Sequence, residues 1–509
     1  MGKEKVDYFL LLSVIFVVLA GIFTLYTQEV MIEDGEGRWY KQTFFFIIGL
    51  IIMFGLYRLN YSMLADYAIP FYAVSIFLLL ITLIPFIGSE IKGARSWIRI
   101  GPLGVQTSEI AKLAVIVLLA RYLEIKEKEI DRIPSLVIAF LIGLLPMLLI
   151  VVQPDFGGAF SIAPILLTLL FVAGADFYHL GSVIVFFSVS LSIPLYIEYH
   201  RITLVEPLIQ HLAELGKNDI LPVVRILRMD VWNYIDSGTI PANVDGSDRT
   251  YLLSILAQTD LYESLKEAAS AVQSEYGGFL LLILDNEIFL SIVASLLVIV
   301  SGVFFVIRFT QGRSMDHLRK YYIPLGVLGL SLFAALTVHQ TFSFKYHQIV
   351  RVTAFVNPEK FPRDLAYQIR ASKAAIGSGQ FIGQGFFRGD MTLGERPLVP
   401  EAYTDFIFTS WAERTGFLGT LILLLAIMFI PLRTLQISLN ARDRFASILG
   451  SGIAFLFFYH ILINTGIALG LLPVTGLPLS FMSYGGSHLV VCMAGIGIIL
   501  NIHRRRFAN

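Results

Sequence analysis

Residues 351–419 read RVTAFVNPEKFPRDLAYQIRASKAAIGSGQFIGQGFFRGDMTLGERPLVPEAYTDFIFTSWAERTGFLG. This polar, glycine-rich stretch lies between two strongly apolar segments. A connection so long and so poor in apolar periodicity is either functional or disordered, and its aromatics and mixed charges argue against disorder. Near its end, Thr404-Asp405-Phe406-Ile407-Phe408 puts a carboxylate where the polar loop runs into an apolar helix. The stretch therefore reads as a large loop between membrane spans, with Asp405 as the residue around which the remaining chain is organised.

Composition supports that reading. Of 509 residues 56% are hydrophobic and 15% charged, with a mean hydropathy of +0.74; a soluble domain carries about 25% charged residues. The fold class expected is an all-α polytopic bundle. Lys+Arg and Asp+Glu both number 38, so net charge gives no reason to expect a nucleic-acid partner. The single cysteine, Cys492, excludes an intrachain disulfide and a cysteine-based metal site. The first apolar run, 8–27, is long enough to span and has no small-residue cleavage site, so no cleaved signal is expected.

Apolar runs of about 17–25 residues occur at 8–27, 42–57, 68–88, 109–123, 134–152, 157–174, 178–197, 287–308, 322–340, 405–432, 446–467 and 485–502. Lys3 and Lys5 at the start and Arg504, Arg505 and Arg506 at the end place both termini in the cytoplasm, which agrees with an even count of about twelve. The loops at 309–321 and 433–445 then also lie inside. The 89–108 loop, with Lys92, Arg95 and Arg99, falls outside against the positive-inside rule. So does 342–404, with Lys345, Arg351, Lys360, Arg363, Arg370, Lys373, Arg388 and Arg396. Either neighbours such as Glu90 and Asp364 neutralise these cations, or an external anionic ligand holds them.

The organisation expected is an N-terminal membrane half at 1–197, an external helical insertion at 198–285, two additional or rearranged spans at 286–340, a large external catalytic loop at 341–404, and C-terminal spans at 405–509. In the insertion, helical spacing is clearest from Tyr251 to Ala271, turn signals cluster from Gly238 to Asp248, and Phe279 to Leu284 reads as interfacial. It carries no recognisable chemistry; a lid, a partner-binding surface and decoration are all open.

Asp405 is a functional candidate because an ionisable group at the head of an apolar helix is costly; the alternative is a helix-terminal carboxylate with Thr404 as N-cap. Glu109 and Lys112, three residues apart on one helix face, are either a mutually neutralising pair or a lysine aimed at an anionic head group. Asp155, in Gln-Pro-Asp-Phe-Gly-Gly, fits simple turn chemistry. The glycines from Gly377 to Gly394 match no phosphate-binding pattern. The Pro/Gly-dense run from Gly470 to Ser487, approached by Asn464, implies irregular backbone lining a cavity. His339, His347, His460 and His488 lack metal-ligand spacing and read as structural.

Together, KGARSWIRIG…QTSEIAK, QPDFGG, NPE…YQIRASKAAIGSG, PEAYTDFIF, LLPVTGLPLSFMSYGGS and the basic tail resemble the SEDS family (shape, elongation, division and sporulation). The likeness covers nearly the whole chain outside 198–340. Ser372-Lys373-Ala-Ala-Ile-Gly-Ser-Gly is closer to the elongation branch than to the division branch. Two departures stand out. Thr107 replaces a usual proline, and the insertion with about two extra spans exceeds the family's ten.

The resemblance implies a multi-pass enzyme of the bacterial cytoplasmic membrane, with its active site facing outside. It would be an inverting peptidoglycan glycosyltransferase that polymerises lipid II and works with a class B penicillin-binding protein. Asp405 matches the family's essential aspartate and is expected to act as general base; Glu109 and Lys112 match its helical pair. Lys92, Arg95, Arg99, Gln106, Asp155 and Arg351 are candidate substrate-binding residues, as are Arg370, Ser372, Lys373, Glu401, Ser483 and Ser487. The growing strand on polyprenyl pyrophosphate and membrane lipid complete the partners. No cofactor is certain; a divalent cation (Mg or Mn) bridging pyrophosphate and carboxylate is compatible. A carrier that moves lipid-linked precursors across the membrane is the alternative function. It predicts ionisable residues at the midplane of a repeat, whereas here they gather in external loops.

Overall fold

The computed structural model describes residues 6–30, 37–91, 94–100, 103–130, 132–217, 219–227, 230–237, 248, 252, 259–311, 318–341, 355, 365–393 and 397–506. The chain forms two compact units, one of Met1–Leu180 with Ala354–Asn509 and one of Gly181–Thr353.

The first unit begins with α1 (Tyr8–Glu29), α2 (Arg38–Arg58), the short α3 (Ser62–Asp66) and α4 (Ala68–Thr82). Strands β1 (Gly88–Ile91), β2 (Ala94–Ile100) and β3 (Leu103–Gln106) follow. Next come α5 (Thr107–Ile125), α6 (Ile133–Val152), α7 (Phe156–Val172) and α8 (Phe177–Thr203), which runs on into the second unit. Among the described residues nine helices in the whole chain are long and apolar enough to cross a membrane. The shorter apolar α4 and α7 and the charge-bearing α5 occupy the other three expected positions, so each apolar run in the sequence is helical. The protein is a predominantly α-helical, multi-pass membrane protein.

The 89–108 stretch, expected as a loop between spans, holds most of a small antiparallel sheet in the order β1-β2-β3, with Ser89 opposite Trp97 and Trp97 opposite Gln106. Its last strand hands the chain directly to α5 at Thr107.

After the second unit the chain returns as α16 (Leu365–Ser378), α17 (Ile407–Leu439), α18 (Arg444–Ala468) and α19 (Gly486–Arg505). The most apolar windows of α18 and α19 are 67% and 78% buried, against 17% for α2. The former pair is therefore the axis of the unit and α2 its lipid-facing skin. Helix α18 packs on α5, α7 and α17, and α19 on α2. Carboxylate caps fix the ends: Asp7 accepts from Leu10 N at 3.1 Å and pairs with Arg433 at 2.6 Å, and Asp443 accepts from Ala446 N at 2.8 Å. Burial, reinforced by its hydrogen bond to Asp443, pushes the Tyr61 phenol above its usual range.

Helix α17 is broken at Gly416, which adopts φ 64° and ψ −163°. A break inside a membrane leaves carbonyls before it and N–H groups after it that must find partners. The loop after α16 supplies them. Gln384 N and Gly385 N donate to the carbonyls of Glu413 and Arg414, while Phe417 N and Leu418 N donate to those of Gln380 and Phe381. A Cβ on Gly383 would stand 2.1 Å from the Arg414 carbonyl, and one on Gly416 2.3 Å from Gly383 N. The glycine-rich run is thus a backbone plug for a broken helix. Gly416→Ala combines a positive φ with that clash and should destabilise the fold by about 2–4 kcal/mol; a thermal melt of the detergent-solubilised protein checks this.

In the second unit, α9 (Val205–Glu214), α10 (Leu221–Leu227), α11 (Asp230–Ser237), α12 (Thr259–Tyr276) and α13 (Gly278–Leu284) enclose an apolar core of Leu208, Val223, Trp232, Leu265 and Val272. The span expected to end at 197 continues as α8 to Thr203, where the Arg201 carbonyl accepts from Trp232 Nε1 at 2.6 Å. The turn signals at 238–247 lie outside the described residues. Helices α14 (Glu287–Gln311) and α15 (Arg319–Thr341) pack together through Leu290, Ala294, Leu332 and Leu336.

Candidate active site

Asp405 is half-buried, two residues before the first turn of α17. The N-cap position is Phe406, and Thr404 caps nothing: its hydroxyl donates to the Glu401 carboxylate at 3.1 Å. Three backbone contacts lock the loop that carries Asp405. Asn464 Nδ2 donates to the Asp405 carbonyl at 3.0 Å and to that of Leu477 at 2.9 Å; Ser483 Oγ donates to the Thr404 carbonyl at 2.7 Å; Tyr484 N donates to the Tyr403 carbonyl at 2.9 Å. Glu401 is held at φ 56°, a conformation that costs free energy in a residue with a Cβ and recurs at functional sites. The Arg38 guanidinium stacks 3.9 Å over the Tyr403 ring.

Beneath this loop runs a buried polar chain. Lys112 and Glu109 sit on successive turns of α5, 0% and 3% exposed, with Nζ donating to Oε1 at 2.7 Å. The other carboxylate oxygen accepts from His488 Nδ1 at 2.9 Å, and Lys112 Nζ stands 3.4 Å from His460 Nε2. Desolvating an ion pair is costly unless its remaining valences are filled; the two histidines fill them.

Helix α18 organises both layers. His460 meets Lys112, Asn464 holds Asp405, and the Ala468 carbonyl accepts from Ser372 Oγ at 2.8 Å. These positions are four residues apart, on one face over about 12 Å of axis. Ser372, expected as a substrate ligand, is fully buried and also bonds Thr409 Oγ1 at 2.6 Å, so it joins α16, α17 and α18.

A second cluster gathers Gln106, Asp155 and Ser487. Asp155 caps α7 through Gly158 N at 3.0 Å and accepts from Gln106 Nε2 at 2.9 Å and Ser108 Oγ at 3.0 Å; Gln106 N donates to Ser487 Oγ at 3.2 Å. The N-termini of α5, α7 and α19 are thereby tied together, and α17 is joined to them through Ser483 and Tyr484. Helix N-termini carry partial positive charge and favour anions. Of the expected cations, Arg99, Arg370 and Lys373 are exposed, and Arg95 pairs with Glu90 at 3.5 Å. Lys92 and Arg351 lie outside the described residues. Among those described, no group of three or more His, Cys, Asp or Glu side chains could hold a metal ion.

Sequence reasoning missed four residues. His460 and His488 lack metal-ligand spacing and read as structural from sequence, and Glu413 and Arg414 carry no motif of their own. The Glu413 carboxylate accepts from Met391 N at 3.0 Å and from the Thr392 hydroxyl, anchoring the loop that leads to Asp405. Arg414 Nη1 donates to the Thr24 carbonyl at 3.0 Å and to the Thr27 hydroxyl, anchoring α1. The available signal was a charged pair a few residues inside an apolar segment.

A family model described as FTSW_RODA_SPOVE, cell cycle protein, matches residues 5–218 and 274–507. Peptidoglycan glycosyltransferase RodA of Treponema pallidum (strain Nichols) is 28% identical over 507 residues, 99% of each chain. Peptidoglycan glycosyltransferase MrdB of Escherichia coli (strain K12) is 37% identical over 212 residues, 42% of this chain and 54% of MrdB. A chain from a solved peptidoglycan synthase complex, concerned with coordinating polymerization and crosslinking, superposes with a TM-score of 0.57 at 21% identity over 99% of both chains. That likeness establishes the fold.

Proposed function

The chain belongs to the FtsW/RodA/SpoVE family of cell cycle proteins, and from that premise we propose that it is a peptidoglycan glycosyltransferase of the elongation type. It polymerises lipid II into β-1,4-linked glycan at the outer face of the bacterial cytoplasmic membrane, with both termini in the cytoplasm. A class B penicillin-binding protein is its partner. The observation that carries the reading is the contrast between carboxylates. Glu109 and Glu413 are 3% and 0% exposed, whereas Asp405 is half-exposed on a loop pinned through its backbone.

Asp405 acts as general base. It accepts the proton of the acceptor sugar hydroxyl as that oxygen attacks the anomeric carbon of the donor. The bond from that carbon to the pyrophosphate oxygen breaks, and the polyprenyl pyrophosphate departs with the electron pair. One displacement converts an α-linked donor to a β-linked chain. A positioned base is worth about 10²–10⁴ in rate. Leaving-group charge is met by the tied helix N-termini and by Arg95, Arg99, Arg370 and Lys373, with Lys112 and Glu109 fixing the field beneath them. Grooves between spans hold the two polyprenyl tails in register, which supplies proximity.

The test is incubation of purified protein, with its penicillin-binding partner, and labelled lipid II. Glycan polymer is expected. Passage of lipid II across proteoliposome membranes without polymer would instead select the carrier.

A further inference from the structure

Two histidines in the buried chain have no part in the reaction as written, and both sit on the ion pair beneath Asp405. An ammonium only donates hydrogen bonds and a carboxylate only accepts them. His460 Nε2 must therefore be the accepting nitrogen toward Lys112, which puts its proton on Nδ1, 3.5 Å from Ser480 Oγ. His488 must carry a proton on Nδ1 to serve Glu109 at 2.9 Å; its Nε2 faces Cys492 Sγ at 3.6 Å. The rings lie 4.9 Å apart, 34° from parallel. The chain Ser480, His460, Lys112, Glu109, His488, Cys492 thus crosses three helices, and each of its five contacts pairs a donor with an acceptor. All six residues are buried.

We propose that His488 is a positioning residue for glycosyl transfer: by occupying one oxygen of Glu109 it reserves the other for Lys112 and fixes the ammonium against His460, one turn of α18 from the asparagine that holds Asp405. The inference rests on the glycosyltransferase reading. Without the His488 donor both Glu109 oxygens compete for Lys112, and the ammonium is drawn away from α18. Charge-assisted hydrogen bonds are the strong ones in such a site.

The experiment compares His488→Asn, His488→Gln and wild type in lipid II polymerisation, each also combined with Lys112→Met. An asparagine amide can stand where Nδ1 stands; a glutamine amide reaches toward Nε2. The asparagine variant should keep about a third of wild-type kcat, while the glutamine variant should lose about 30-fold with KM changed less than about threefold. The double variant His488→Gln/Lys112→Met should lose no more turnover than Lys112→Met alone, because both changes remove one linkage. Equal kcat for the asparagine and glutamine variants, or additive losses in the double variant, overturns the proposal. Wild-type protein that makes no polymer overturns the underlying reading instead, so the two failures are told apart.

Discussion

Asp405→Asn should stop lipid II polymerisation, with turnover falling by at least about 10²–10⁴, while the protein keeps its melting temperature and chromatographic profile. The expectation of intact folding is specific to this site. The contacts from Asn464, Ser483 and Tyr484 all reach backbone carbonyls at 403–405, and the amide replaces the carboxylate without disturbing them. Glu401→Gln is the informative companion, since Glu401 offers a second half-buried carboxylate four residues earlier. Full polymer from Asp405→Asn would remove the base assignment. Loss confined to Glu401→Gln would move it.

Lys112→Met is expected to act on stability and turnover together. It leaves Glu109 ionised in a dry site with His488 as its remaining hydrogen-bond partner, and breaking a buried pair costs about 3–5 kcal/mol. Expression and melting temperature should both fall. The double variant Glu109→Gln/Lys112→Met removes both charges and should recover most of the stability, because a neutral pair of similar volume is tolerated where half an ion pair is not. If turnover stays low while stability returns, Lys112 serves the reaction. If turnover returns as well, the pair is structural.

What the sequence made legible followed from the cost of charge in an apolar setting. Asp405, Glu109 and Lys112 stood out because each interrupts a run that would otherwise insert cleanly. The twelve helical positions followed from run length alone. The histidines did not stand out, because neutral imidazole blends into an apolar helix and the two lie 28 positions apart; only the packing of α18 on α19 brings their rings together. A useful signal lay in period: His460 and Asn464 share a face, so two buried polar side chains on adjacent turns marked the side turned toward the site. The sheet at 88–106 was hidden by its own charges. Its cations point to topology, while the alternation around Trp97 is the strand signal. The glycine run matches no nucleotide pattern, and nothing local says that its partner is a break in a helix some thirty positions onward.

One feature of α18 sets the mechanical character of the whole assembly. Lysine, aspartate loop and α16 are keyed to a single line along one shaft. Sliding that shaft by a residue, or rolling it by the roughly 100° that separates neighbouring side chains, disengages all three together, so reagents, base and counter-charge are either jointly assembled or jointly lost. A binding partner that grips either end of this helix would hold an ignition key rather than a dimmer.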